Sequence, residues 1–151
     1  MKELFVFLFF VVSVPTLLFV HSEHESELNQ DDKLKTISFS RDSVVVYNKI
    51  VDEIGIVMSI YKGAIETKKV DASSKNIENF KKDNKEVLEK LNKKLKLCVT
   101  SKSKEDFYNN VHNMTLVAID YEIKYNILQK DKHEIRKKYF DIYKNMGENE
   151  L

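Results

Sequence analysis

Downstream of Pro15 the chain holds no proline, and its only glycines are Gly55, Gly63 and Gly147. Tight turns draw on glycine for positive φ and on proline for a pre-set φ, so a fold with many hairpins has almost nothing to turn with. Helices joined by a few polar connections are what such a chain can build. The fold class expected is all-α, a three- or four-helix bundle following an N-terminal hydrophobic signal segment.

Polar, small-residue breaks fall at Lys69–Asn76 and Thr100–Lys104. Ser74 is placed to cap one helix start, and Ser103 with Asp106 resembles a capping box in which Asp replaces Glu. A first helix is predicted from Ser40 to Lys69, because Tyr47, Ile50, Val51, Ile54, Val57, Met58, Tyr61 and Ile65 recur at the helical period. Beside them Gly55, Ser59 and Gly63 recur every fourth residue, a small-residue stripe that suits close packing of a second backbone inside the bundle. The second helix, Ser74 to Val99, carries Ile77, Phe80, Val87, Leu88, Leu91, Leu95 and Cys98 on one face. Asn84 lies on that seam, where a polar side chain can fix register.

The third helix is apolar on two sides. Phe107, Val111, Met114, Ala118, Tyr121, Tyr125 and Leu128 make one stripe; Leu116, Ile119, Ile123 and Ile127 make another. Such a helix must be covered twice, by neighbours within the chain or by a partner. The second stripe is the candidate binding surface, with burial inside the chain as the alternative. Tyr108, Tyr121, Tyr125, Tyr139 and Tyr143 are a further candidate for contact with a partner. Ile135, Tyr139 and Ile142 continue the pattern, but one helix from 104 to 146 would be about 65 Å long, against a radius of gyration of about 14 Å for a domain of this size. A break near Lys130 is therefore expected.

Before this domain runs LFVFLFFVVSVPTLLFV, residues 4–20, an uncharged segment between the lengths of a signal core and a membrane span. Pro15 interrupts it, and Val20-His-Ser22 offers small or β-branched side chains three back and one back from a cut after Ser22. Residues 1–22 are read as a signal peptide, with a retained signal anchor as the alternative. Residues 23–39 form an acidic, flexible lead, 40–146 the helical bundle, and 147–151 a flexible C-terminal tail. The localisation expected is secreted or extracellular. The last four residues, ENEL, resemble a luminal retention signal with Glu148 in place of the usual basic residue, which leaves the ER lumen open.

Formal net charge is +1, with 25 basic against 24 acidic residues, which gives no reason to expect nucleic acid. The distribution is uneven, since residues 75 to 104 hold ten lysines and four acids. A solvated helix face is the first reading, and an anionic partner such as a membrane surface the second. Asn113-Met-Thr115 is a glycosylation sequon, and helical phase puts Asn113 in a polar gap. Cys98 is the only cysteine, so no intrachain disulfide forms, and its place on the apolar stripe suggests a buried thiol. The histidines form no ligand cluster; His21 and His24 alone are spaced for a metal ion, and none is expected. No catalytic motif is present, and neither a cofactor nor a catalytic residue is expected. These readings converge on a small secreted or luminal protein that binds an unknown protein partner and is not an enzyme. A carrier of a small apolar ligand and an ER-luminal accessory protein are the alternatives. Membrane contact is expected only if the N-terminal segment is retained.

Overall fold

A computed structural model describes residues 30–147 of the chain. The chain divides into compact units at residues 1–33 and 34–151; of the first, only Gln30–Lys33 are described, as the opening of a helix. The signal segment, the ENEL terminus and His21 and His24 lie outside the described residues. Within them the protein is all-helical, with four helices and no strand: α1 Gln30–Glu66, α2 Ser74–Val99, α3 Lys104–Lys124 and α4 Lys132–Gly147. None of these is long and apolar enough to cross a membrane.

The connections explain how helices end without proline. After α1, Lys68 takes a left-handed φ of 54°, and the amide of Lys69 turns back onto the Ala64 carbonyl at 2.8 Å. A lysine there tolerates the conformation that glycine usually supplies. Ser73, one residue before the expected cap, accepts from the Asn76 amide at 3.3 Å and starts α2. Ser103 accepts from Asp106 N at 3.1 Å and starts α3, as the sequence predicts.

The expected interruption near Lys130 is present and covers residues 125–131. Gln129 carries a φ of 49°. The Asn126 side chain donates to Lys130 O at 2.7 Å and accepts from Lys130 N at 3.0 Å, clamping the turn. Asp131 then accepts from the His133 amide at 2.8 Å and opens α4.

Side-chain pairs fix the topology. Tyr47 donates to Asn92 at 2.9 Å, while Tyr61 packs on Phe80 with ring centroids 4.7 Å apart, so α1 and α2 run antiparallel. Asn110 reaches Ser101 at 3.2 Å, and the Tyr121 hydroxyl donates to Asn84, so α2 and α3 are antiparallel as well. The seam asparagine thus has a partner. His112 stacks on Phe140 at 5.5 Å, and Lys138 reaches Glu122 at 2.7 Å, which turns α4 back along α3. Phe39 stacks on Phe107 at 4.9 Å, closing the bundle at the end of the α2–α3 turn.

One core fills the interior, with Ile50, Ile54, Leu91, Val111, Met114, Ile135 and Tyr139 fully or nearly fully buried. Burying each such aliphatic side chain stabilises the fold by about 1.5–3 kcal/mol relative to exposure. At the opposite end from Phe39, Tyr61, Phe80, Tyr121 and Tyr125 pack edge to face and tilted, with centroids 4.7–5.3 Å apart.

Three expectations need correction. Helix α1 begins at Gln30, ten residues before Ser40, so residues 30–39, assigned to the lead, are helical; up to Ser38 their described side chains are exposed. The Gly55, Ser59 and Gly63 stripe faces away from the interior: a Cβ added at either glycine would meet nothing within 4 Å. Period alone placed it beside the core stripe, but none of the described helices lies over the two glycines. The tyrosines of α3 and α4 are mainly core, since Tyr121, Tyr125 and Tyr139 are buried and Tyr108 and Tyr143 half-buried.

Candidate functional site

The second stripe of α3 does not survive as one surface. Ile119 is 2% exposed and belongs to the core. Ile123 and Ile127 are half-buried against it, and Leu116 is 39% exposed. The reason is the position of α4. His112 and Glu122 meet Phe140 and Lys138. On a helical wheel Thr115 and Ile119 fall within the arc between those two residues. The flank of α3 offered to a partner is thus covered by the chain's own last helix. Leu116 and, in the connection after α3, Ile127 remain partly accessible.

Ile127 contributes to a groove that periodicity did not reveal. Its lining combines Glu53, Ile56, Val57 and Ile60 of α1 with Glu122, Tyr125–Leu128, Lys130 and Lys138. Ile56 is 53% and Leu128 57% exposed, unusually open for side chains of that size. The two come together because the α3–α4 connection folds back beside α1. Leu128 was assigned to the core stripe of α3; with the helix ending at Lys124 that phase no longer applies, and the side chain points outward.

The floor of the groove is charged. Lys138 donates to Glu53 at 2.7 Å and to both oxygens of Glu122 at 2.9 and 2.7 Å. Glu122 is buried, while Glu53 and Lys138 are half-buried. Burial works to lower the Lys138 pKa, but the hydrogen bonds to Glu122 and Glu53 outweigh it and hold the ammonium above the ordinary lysine value. The Lys138 ammonium also lies 4.7 Å from the Tyr139 ring centroid. The Tyr139 hydroxyl is buried beside Glu122, and burial followed by that carboxylate raises its pKa. Losing the Lys138 ammonium would strand both carboxylates, Glu122 most severely because it is buried, so Lys138 braces the groove under the exposed isoleucine and leucine.

A second, polar cluster lies between α2 and α3. Asp83 accepts from Lys124 and from the Tyr125 hydroxyl. Burial alone would raise the Asp83 pKa, but these bonds lower it. Beside it opens a groove of ≈ 250 Å³ lined by Asp83, Glu86, Lys90, Asp120 and Lys124 with Val87, Val117 and Tyr121.

The remaining candidates are placed as follows. Asn113 is exposed on α3, so a glycan there would project into solvent, while Thr115 is buried and donates to His112 O at 2.6 Å. Cys98 is buried, and desolvation pushes its thiol up to about 11 despite the opposing charge of Lys94. Among the described residues no three His, Cys, Asp or Glu side chains gather as a metal site. Comparison with known proteins finds no match: no family model, no curated protein and no solved structure resembles this chain.

Proposed function

We propose that this is a small secreted or luminal helical protein that acts by binding a protein partner and not by catalysis. The observation carrying this reading is the pair Ile56 and Leu128, more than half exposed on one groove above the Glu53–Lys138–Glu122 brace. Isolated exposed aliphatics are ordinary, but two from separate elements sharing one groove make a contact patch. A rigid floor favours recognition, because less side-chain freedom is lost on association.

The groove's free volume of ≈ 30 Å³ has room for about one or two waters. It suits a projecting side chain better than a small ligand, whose sites typically span about 300–1,000 Å³. This favours a protein partner over the alternative of an apolar-ligand carrier. The secretory part of the reading is supported by the apolar run at residues 4–20, by Val20-His-Ser22 and by the exposed Asn113. The ER-luminal alternative rests on the ENEL ending.

The test uses residues 23–151 as bait, beside the double variant Ile56→Asp/Leu128→Asp. The wild type should retain a protein that the variant loses, with the two melting temperatures equal within a few degrees. Identical retained sets would overturn the reading. Recovery of stoichiometric lipid from the purified protein would favour the carrier instead.

A further inference from the structure

The opposite end of the bundle carries a different kind of surface. From Lys90 to Lys104 the chain holds six lysines and no acid. Upstream on α2, Lys82 and Lys85 face Glu86 and Glu89 at 3.7 and 3.9 Å, one turn away. Past Lys90 there is no carboxylate one turn on to answer them. Lys90, Lys93, Lys96, Lys102 and Lys104 are exposed and Lys94 half-buried. Within this run Leu97 is 48% exposed. Lys93 and Lys94 lie one turn before it and Lys90 two turns before, so the leucine projects between ammonium groups on one face. The acids nearest the run lie at its two ends, Glu86 and Glu89 one turn before Lys90 and Lys93, and Glu105 and Asp106 in the first turn of α3.

More apolar surface lies at this end. Phe39 packs on Phe107 there, and the chain two and five residues earlier presents Ile37 and Leu34, 58% and 61% exposed. A soluble polyanion needs lysines alone. An interfacial membrane site combines lysines at headgroup depth with leucine or isoleucine reaching the acyl boundary.

We infer that the Lys90–Lys104 end of the bundle, with Leu97 at its centre, docks on an anionic lipid surface. The lysines supply long-range attraction that salt screens, and Leu97, Ile37 and Leu34 supply a shorter-range apolar contact that salt does not. The site is independent of the Ile56–Leu128 groove, which lies at the other end of the helices. A membrane-docked molecule would therefore leave its protein-binding groove facing away.

The experiment is co-sedimentation of residues 23–151 with lipid vesicles. All described core side chains lie between Phe39 and Tyr143, so this form carries the described core without the apolar run at residues 4–20. Its helical spectrum and melting temperature are checked first. Binding to mixed phosphatidylcholine–phosphatidylserine vesicles should exceed binding to pure phosphatidylcholine by roughly tenfold or more. The variant Lys93→Gln/Lys94→Gln/Lys96→Gln/Lys102→Gln should remove most of that difference. Leu97→Ser should weaken the binding that persists at high salt. Equal binding to both vesicle types would overturn the inference, as would a quadruple variant that binds like the wild type. Loss on the lysine variant with no effect of Leu97→Ser, and equal binding to soluble heparin, would assign the patch to a soluble polyanion and overturn the membrane reading. The Ile56→Asp/Leu128→Asp variant should bind vesicles normally, which separates this outcome from failure of the groove.

Discussion

Lys138 holds both carboxylate oxygens of Glu122, at 2.9 and 2.7 Å, across the break that separates α3 from α4. The same ammonium reaches Glu53 at 2.7 Å, 85 residues earlier in the chain. A single side chain thereby ties the first, third and fourth helices together. No local pattern announces this, because lysine and glutamate are also the commonest residues of a solvated helix face.

Removing the ammonium leaves Glu122 buried and unpaired. Lys138→Met should therefore destabilise the protein by about 3 kcal/mol or more, whereas Glu53→Gln, which leaves the Glu122 pair intact, should cost about 1 kcal/mol. Urea denaturation of both variants measures the difference. Equal and small effects would show that the brace carries little energy.

Burial within α3 separates two residues that periodicity grouped together. Ile119→Asp puts a carboxylate into the core and should cost several kcal/mol, comparable to the whole stability of about 5–15 kcal/mol for a domain. Leu116→Asp should shift stability by no more than about 0.5 kcal/mol, as exposed substitutions do. Ile123→Asp should fall between. Thermal melting of the three variants checks the order.

Tyrosine burial gives the fold an alkaline limit. The hydroxyls of Tyr47, Tyr121, Tyr125 and Tyr139 have raised pKa values, with desolvation the leading cause for each. In the folded state they keep protons that the unfolded chain loses near the ordinary value of 10.0. Their stabilising effect is complete below that value and is lost as pH rises through the folded pKa values. Lys138, raised by its carboxylate partners, acts in the same direction. Stability should thus decline as pH rises above about 10. In a spectrophotometric titration, the tyrosinate signal of the four buried phenols should appear together with unfolding and not before it.

A buried thiol with a pKa of about 11 is protected twice, by access and by protonation. Cys98 should resist alkylation by iodoacetamide at neutral pH until denaturant is added. The mass in solution should be unchanged by reducing agent. Rapid labelling of native protein would show that the helix end near Cys98 opens freely.

Expression in secreting eukaryotic cells tests the route proposed for the chain. The mature product should begin at Glu23, and Asn113→Gln should abolish a glycosidase-sensitive mobility shift without changing the melting temperature. Intact Met1 on membrane-bound material would instead support a retained anchor.

Much of the helical framework is local chemistry and was readable residue by residue. Scarce glycine and proline excluded a turn-rich fold, Ser103 marked the start of α3, and excessive length required an interruption near Lys130. The stripes on α1 and α2 together with the first stripe on α3 named most of the core, and Asn84 was placed on a seam where it meets Tyr121. The Ile56–Leu128 groove was not legible, since Leu128 was phased as though α3 continued through it. Its outward position depends on where α3 stops and on the fold of the connection.

The sequence by itself determined which residues share a helix face, because the period of 3.6 residues is a property of the backbone. It could not determine which faces are covered. Gly55, Ser59 and Gly63 had the spacing of a packing seam, yet none of the described helices lies over the two glycines. Ile119 had the spacing of a surface stripe, yet α4 lies along its flank and it is core. Coverage depends on the order and placement of helices far apart in the chain. Tertiary structure decided it through contacts such as Glu53–Lys138–Glu122, whose free energy depends on partners that sequence spacing cannot bring together.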